Sequence, residues 1–583
     1  MSTKALALQL ACVALALIAL VVWFSASAFG SGGLLGAPQT DVIRAVWGLD
    51  HTWQSLPRPP FWTERLAFPV GVKIVILPQF SALLGAPLVG MFGAIRGYNL
   101  WILSLWAASG CGSALLAWRL SESPAAALLA GTVMIIQPMT FLAITDGTAE
   151  FVAWWTVPLA LTALYTAGRT LASHVQEQRM WAMLAGLLLG LVALDSPYHA
   201  IFCIPFLPLV FGWHRWRRQG RTLVGITLVG LILLALYFGL PLAAPHENTT
   251  GNAVTLRVWR QWEVGETRTG WDYSLGAGFI PYRVLLVLLG FAFLRLSKSY
   301  VWVLVGVVAL VLALQLHPDN AAMLRIWLGN DGSRLSHLVS AVNQVVTPPV
   351  IRFPRRWLVP AAQALALAGA LGLTAFPKEW TRWLVAIPVS AWMVWHTESI
   401  AHFQANFPHF DPPKPAFADF IRASDTRGAV LFLPRQRGAV EAVGRQELPV
   451  FAELSRDISS ADLLWMQVLC RRSSFYWPEG LRTAVRRSAF DPETEKLLHD
   501  LDDTATPVTT GAPIPLSASQ EPDRRARAAA ALVDKGLSFV AIDEHTYGEA
   551  GMKLLRAAFE SVTVNDRHFD DGTGVTVLSL SRR

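Results

Sequence analysis

The stretch that decides the fold is Ile74-Val-Ile-Leu-Pro78-Gln-Phe-Ser-Ala-Leu-Leu-Gly85-Ala-Pro87-Leu-Val-Gly90-Met-Phe92. It is apolar enough to cross a bilayer, and if it crosses, every later loop changes sides. Its prolines and glycines suit a plain spanning helix poorly and an interface better. A re-entrant or interfacial helix over 74–92, on the outer face, is therefore expected. It lies in a long first loop, 29–98, with Asp41, Asp50, His51 and Glu64. Loops between spans are short as a rule, so one this long and this early points to a job of its own.

Outward from this segment, apolar runs fill the chain to about His396 and then stop. Of the 583 residues, 53% are hydrophobic and only 15% charged, where a soluble chain would carry about a quarter charged. The expected fold class is a polytopic α-helical membrane protein with a C-terminal extracytoplasmic α/β domain. Runs at 5–28, 99–118, 124–143, 152–168, 181–195, 199–213, 222–243, 281–296, 300–316, 357–375 and 383–396 give about eleven spans. The first resembles a signal peptide, with Lys4 ahead of it, but exceeds the usual apolar length, so an uncleaved span is expected.

The formal net charge of +7 sits largely in short loops. Arg119, Arg169, Arg179, Arg215, Arg217, Arg218, Arg221, Arg295, Lys298, Lys378 and Arg382 share one side with Lys4. The loops at 146–150 and 195–198 hold no Lys or Arg. By the positive-inside rule the first set, and the N-terminus, are cytoplasmic. This charge sets topology and does not call for nucleic acid. The outer face then gathers 29–98, 246–281, 317–356 and everything after 397. Four cysteines are scattered without metal or disulfide spacing.

The membrane domain is expected over 1–397, a linker over 398–415 with a stiff Pro412-Pro-Lys-Pro415, and a soluble α/β domain over 416–583. Within the last, helices are read at 417–423 and 524–534, and strands at 428–434, 537–542 and 574–580. Asp543, Glu544 and His545 follow a strand end, where either an ordinary solvated turn or a ligand site falls.

Candidate chemistry lies on the outer side. Asp41 opens an amphipathic helix over 42–53, which Thr40 can cap; Asp41 then either favours the helix dipole or serves as general base toward an acceptor hydroxyl. Asp50 and His51, two and a half turns on, join it at the substrate or form solvated surface. Asp146 and Glu150, in Asp146-Gly-Thr-Ala-Glu150, have three open readings: ligands of a divalent metal with Asp41, contacts to a substrate sugar, or loop solvation. His199, in Asp195-Ser-Pro-Tyr-His199, is a weaker candidate. Arg352, Arg355 and Arg356, in Pro348-Pro-Val-Ile-Arg-Phe-Pro-Arg-Arg356, run against the positive-inside trend. They suit a lipid phosphate or headgroup anchoring. Arg257, Arg260 and Arg268 are further candidates. No nucleotide-binding or hydrolase motif stands in a supporting context.

At these residues the chain resembles the GT-C superfamily of membrane glycosyltransferases, in particular a bacterial branch of it. The resemblance is carried by Gln39-Thr-Asp41, Phe68-Pro-Val-Gly71, Tyr98-Asn-Leu-Trp101 with Trp118-Arg-Leu120, Asp146-Gly-Thr-Ala-Glu150 with Trp154-Trp-Thr-Val-Pro-Leu159, and Arg352-Phe-Pro-Arg-Arg-Trp357. It covers most of the membrane part. What it implies is a polyprenyl-phosphate-sugar donor, a glycan, lipid or protein acceptor, and a multi-pass protein of the bacterial inner membrane. It also implies inverting transfer with Asp41 as base and arginines on the departing lipid phosphate. The paired acids of many GT-C loops are absent at Asp41. A non-catalytic scaffold for surface-polymer assembly is the alternative; a lipid-linked-sugar transporter would place its acids nearer mid-membrane.

Overall fold

A computed structural model describes residues 3–37, 41–58, 62–63, 65, 72–73, 78–169, 175–211, 282–313, 354–401, 407–412, 414–433, 461–473, 492–501, 522–570 and 574–581. It divides into two compact units. One comprises Met1–Leu35, Leu77–Leu88 and Arg96–His409; the other comprises Gly36–Ile76, Val89–Ile95 and Phe410–Arg583.

The first unit is helical. Among the described residues, 4 helices are long and apolar enough to cross a membrane: Lys4–Ala28, Ala94–Ser121, Ala149–Arg169 and Gln176–Asp195. The pair Pro124–Ile136 and Pro138–Asp146, bent by 40°, makes a fifth if counted as one span. The about eleven runs of the hydropathy reading do not map one to one onto such helices. Prolines divide them: Pro138 restarts a helix after Gln137, Pro197 after Ser196, and a 3-10 turn interrupts at Ile204–Phe206. The run at 222–243 and the basic cluster at 214–221 lie outside the described residues.

Polar side chains join the turns at each end of this unit. At one end Arg169 donates to Glu122 (2.7 Å), and Arg295 donates to the Thr374 carbonyl (2.6 Å). Glu379 accepts from Ser123 Oγ (2.8 Å) and the Ala125 N–H (3.2 Å), and Arg382 donates to Glu379 (2.8 Å). Ser123 in turn accepts from the Ala126 N–H, so serine and glutamate together cap Pro124–Ile136. These are turns whose basic residues the charge count groups on one side.

At the other end Asp195 accepts from the Ser81 N–H (2.7 Å) and Ser81 Oγ (2.9 Å). Trp155 donates to Ser81 Oγ (3.0 Å), and Trp101 donates to the Ser81 carbonyl (2.8 Å). Ser81 thus meets the N-terminal half of the helix Ala94–Ser121, whose last turn carries Arg119. The observed helix is Gln79–Phe92; residues 74–77 lie outside the described ones.

Close approach sets the packing. A Cβ on Gly372 would sit at 1.9 Å from the Phe291 carbonyl oxygen, so the helices Tyr282–Leu294 and Leu358–Leu373 meet backbone to backbone there. Gly290, one residue before Phe291, faces open space.

The tail of the second unit is an α/β sandwich. Its sheet runs Ala429–Leu433, Leu537–Asp543, Val575–Leu580, Thr563–Phe569; the first pair is parallel and the others antiparallel. The helices Pro492–Leu501, Pro522–Asp534 and Glu544–Phe559 bury Leu498, Leu532, Leu555 and Phe559 against Leu431, Val540, Ile542 and Leu578 on one face. Phe417 and Phe420, from Ala416–Ala423, pack on Phe569. Burial pushes the Cys470 thiol up to about 12 and leaves it unreactive.

Gly372→Ala is expected to destabilise the folded protein by about 1–3 kcal/mol through overpacking, while Gly290→Ala, on an open helical surface, is neutral or raises stability by up to about 1 kcal/mol. Thermal unfolding in detergent compares the two; equal melting temperatures would contradict the close helix contact.

Candidate functional site

In the second unit, the first-loop acids lie on the helix Val42–Ser55. Asp41 stands at its N-cap position, one residue earlier than expected, and makes no side-chain capping bond. Its carboxylate pairs with Arg44 at 2.8 Å and is 44% exposed. Thr40 lies outside the described residues, as does Glu64. Asp41 is thus a half-exposed carboxylate at the head of an amphipathic helix.

Asp50 and His51 sit on the buried face of the same helix, 4% and 3% exposed. Asp50 pairs with Arg65 at 2.9 Å and accepts from Gln54 at 2.8 Å. Arg65 also donates to the Gln467 carbonyl (3.2 Å), Gln467 returns a bond to the Arg65 carbonyl (2.8 Å), and Trp47 donates to Gln467 Oε1 (2.9 Å). Trp47 stacks on His51, with 5.2 Å between ring centroids. Burial pulls the Arg65 guanidinium below its ordinary value, and the Asp50 carboxylate opposes that shift. This network ties the loop helix to the tail helix Ala461–Cys470. Its distant partner, Gln467, has no local sequence signal.

In the first unit, the helix Pro138–Asp146 stops at Gly147, which takes the left-handed conformation (φ 72°) that a glycine adopts without strain. A single turn, Ala149–Val152, follows and carries Glu150 and Phe151. Asp146 is the last residue of the preceding helix and is partly exposed. Arg356, on the 3-10 turn Pro354–Trp357, lies 3.7 Å from Glu150, with the two side chains 7% and 12% exposed. The Phe151 and Tyr198 rings lie 4.4 and 4.2 Å from its guanidinium carbon. Arg352 lies outside the described residues, as do Arg257, Arg260 and Arg268. Arg355 shares the turn, and its side chain is likewise outside them.

His199 is fully buried, edge-on to Trp154 with ring centroids 5.1 Å apart. Its ring feels the Arg356 guanidinium and the Glu150 carbonyl. Among the described residues neither ring nitrogen completes a hydrogen bond. Beyond it, Gln363 Oε1 accepts from Ser113 (2.6 Å) and Trp154 (3.2 Å). Gln363 is a lone amide in an apolar helix, a signal that sequence reading can use. Ser81, the partner of Asp195, carries none. Among the described residues no group of three or more His, Cys, Asp and Glu side chains could hold a metal ion.

No protein-family model matches the chain, and no curated protein matches it. Among solved structures it is similar to the arabinofuranosyltransferase AftD from Mycobacteria, with a TM-score of 0.50 and 16% identity over 100% of this chain and 42% of that one. It is also similar to the oligosaccharyltransferase of Archaeoglobus fulgidus (TM-score 0.41, 12% identity, 98% of this chain and 73% of that one). A third likeness is to ArnT from Cupriavidus metallidurans (0.40, 12%, 99% and 98%). At these identities the likeness concerns the fold alone. The fold is similar to that of the arabinofuranosyltransferase AftD.

Asp50→Ala leaves Arg65 as an uncompensated buried charge and is expected to cost about 3–5 kcal/mol. Asp41→Ala removes an exposed pair and is expected to cost no more than about 0.5 kcal/mol. Chemical or thermal unfolding of the solubilised protein distinguishes them; comparable losses would contradict this division of roles.

Proposed function

We propose that this chain is a glycosyltransferase that takes a sugar from a polyprenyl-phosphate carrier and passes it to a glycan, lipid or protein acceptor on the extracytoplasmic face of the bacterial inner membrane. The observation that carries the reading is Arg356: a guanidinium paired with Glu150 under two aromatic rings, at the end of the membrane unit opposite the basic turns. With those turns in the cytoplasm, Arg356 faces outward, where an arginine needs a reason other than topology. Its fork of N–H donors matches a phosphate. The fold shared with a membrane arabinofuranosyltransferase supports the same reading.

In this reading Asp41, half exposed and not used as a helix cap, accepts the proton of the acceptor hydroxyl. Arg356, with Arg352 and Arg355 from the same sequence motif, steadies the lipid phosphate as the glycosidic oxygen leaves. Asp146 contacts the sugar. Asp50 and His51 support the helix that carries Asp41.

The test is transfer of a radiolabelled sugar from its polyprenyl phosphate to endogenous acceptors in membranes. Asp41→Asn is expected to lower the rate about 10²–10⁴-fold without loss of folded protein. Full activity in that variant removes Asp41 as the base. If deletion of residues 411–583 abolishes the cellular phenotype while Asp41→Asn does not, the scaffold reading replaces this one.

A further inference from the structure

The helix that carries Asp41 is held from the far end of the chain. Val42, Val46 and Leu49, at helical spacing, are fully buried with Trp47 beside them. The tail helix Ala461–Cys470 packs on this helix, and its fully buried Gln467 turns both ends of its side-chain amide toward the first loop. Gln467 Oε1 accepts from Trp47 Nε1 (2.9 Å), and its Nε2 donates to the Arg65 carbonyl (2.8 Å). Its own backbone carbonyl accepts from the Arg65 guanidinium (3.2 Å). The Asp50–Arg65 pair closes the loop on itself; the bonds to Gln467 set it against the tail. One compact unit accordingly joins Gly36–Ile76 to Phe410–Arg583.

Asp41 heads the same helix, about 9 Å along the axis from Trp47. Among the described residues its carboxylate bonds to Arg44 on that helix and caps no N–H, so where the carboxylate sits is decided by where the helix sits. Resting on the proposed transfer reaction, we infer that Gln467 is a positioning residue: from the tail it fixes the height and rotation of the helix that carries Asp41, which makes the tail part of the transferring machinery. The chemistry requires such a fixture. The acceptor oxygen bonds the anomeric carbon while its proton passes to Asp41, the bond from that carbon to the phosphate oxygen breaks, and the electron pair stays on the phosphate. The proton is transferred only if the carboxylate stands about 3 Å from the hydroxyl, and a displacement of about 1 Å costs about 10²-fold in rate. Apolar contacts alone let a helix slide or turn. One amide that must accept from an indole and donate to a carbonyl admits a single register.

The experiment is a double-mutant cycle between Gln467→Met and Asp41→Asn in the full-length protein. Transfer of radiolabelled sugar is normalised to folded protein, and amide hydrogen exchange is followed on the same samples. Gln467→Met keeps the side-chain length and removes both amide groups; it is expected to lower the rate about 10–10²-fold. In the Asp41→Asn background it changes the residual rate less than about threefold, because the group it positions is gone. Exchange is expected to quicken in Val42–Ser55 and to stay as in wild type in the strands Leu537–Asp543 and Val575–Leu580. Trp47→Phe, which removes only the indole N–H, repeats the pattern at smaller size and serves if Gln467→Met folds poorly. Wild-type activity in Gln467→Met, equal losses in both backgrounds, faster exchange across the tail sheet, or failure of both variants to fold would overturn the inference while leaving the transfer reading intact. Full activity of Asp41→Asn, or no transfer by wild type, removes the base itself and takes this inference with it.

Discussion

A helix that breaks among apolar neighbours must find partners for the backbone groups it frees, and the first unit is arranged around that constraint. Its helices restart at Pro124, Pro138 and Pro197, each at a position where the lost N–H has no intrahelical partner in any case. Ser123 and Ser196 serve as caps at two of these restarts. Glu379 reaches in from a distant helix to a first-turn N–H at one, and Asp195 does the same for the helix Gln79–Phe92. The carboxylates that accept these bonds also join the turns, so helix capping and assembly of each end are the same interactions.

The candidate chemistry follows from the same breaks. Glu150 rides on a single turn between two longer helices, and Arg356 on a 3-10 turn that opens another. Two charges at 7% and 12% exposure are costly unless matched, since either one alone would meet an environment with little to solvate it.

In the second unit the buried charge pair is Asp50 with Arg65. There the buried pair is completed by Gln54, Gln467 and the stacked Trp47 and His51. Nothing in the first loop announces that residue 467 closes this network. A reading from the loop alone sees acids near a membrane surface and assigns them to the substrate, because spacing on one helix says which residues share a face but not what covers it.

Hydropathy and charge were enough to read an apolar, largely helical chain with basic turns grouped at one end and an α/β tail. Those properties depend on composition and on periods of two or 3.6, which are local. Helix–glycine–strand order placed the strands Ala429–Leu433, Leu537–Asp543 and Val575–Leu580 to within a residue or so. The polar strand Thr563–Phe569 escaped because its central residues face solvent and show no alternation. Only the tertiary structure decided that Arg356 meets Glu150, Phe151 and Tyr198, that Asp195 meets Ser81, and that Asp50 meets Arg65. Each is a contact between residues distant in sequence, made where burial in an apolar setting gives opposite charges and hydrogen-bonding groups no better partner than one another.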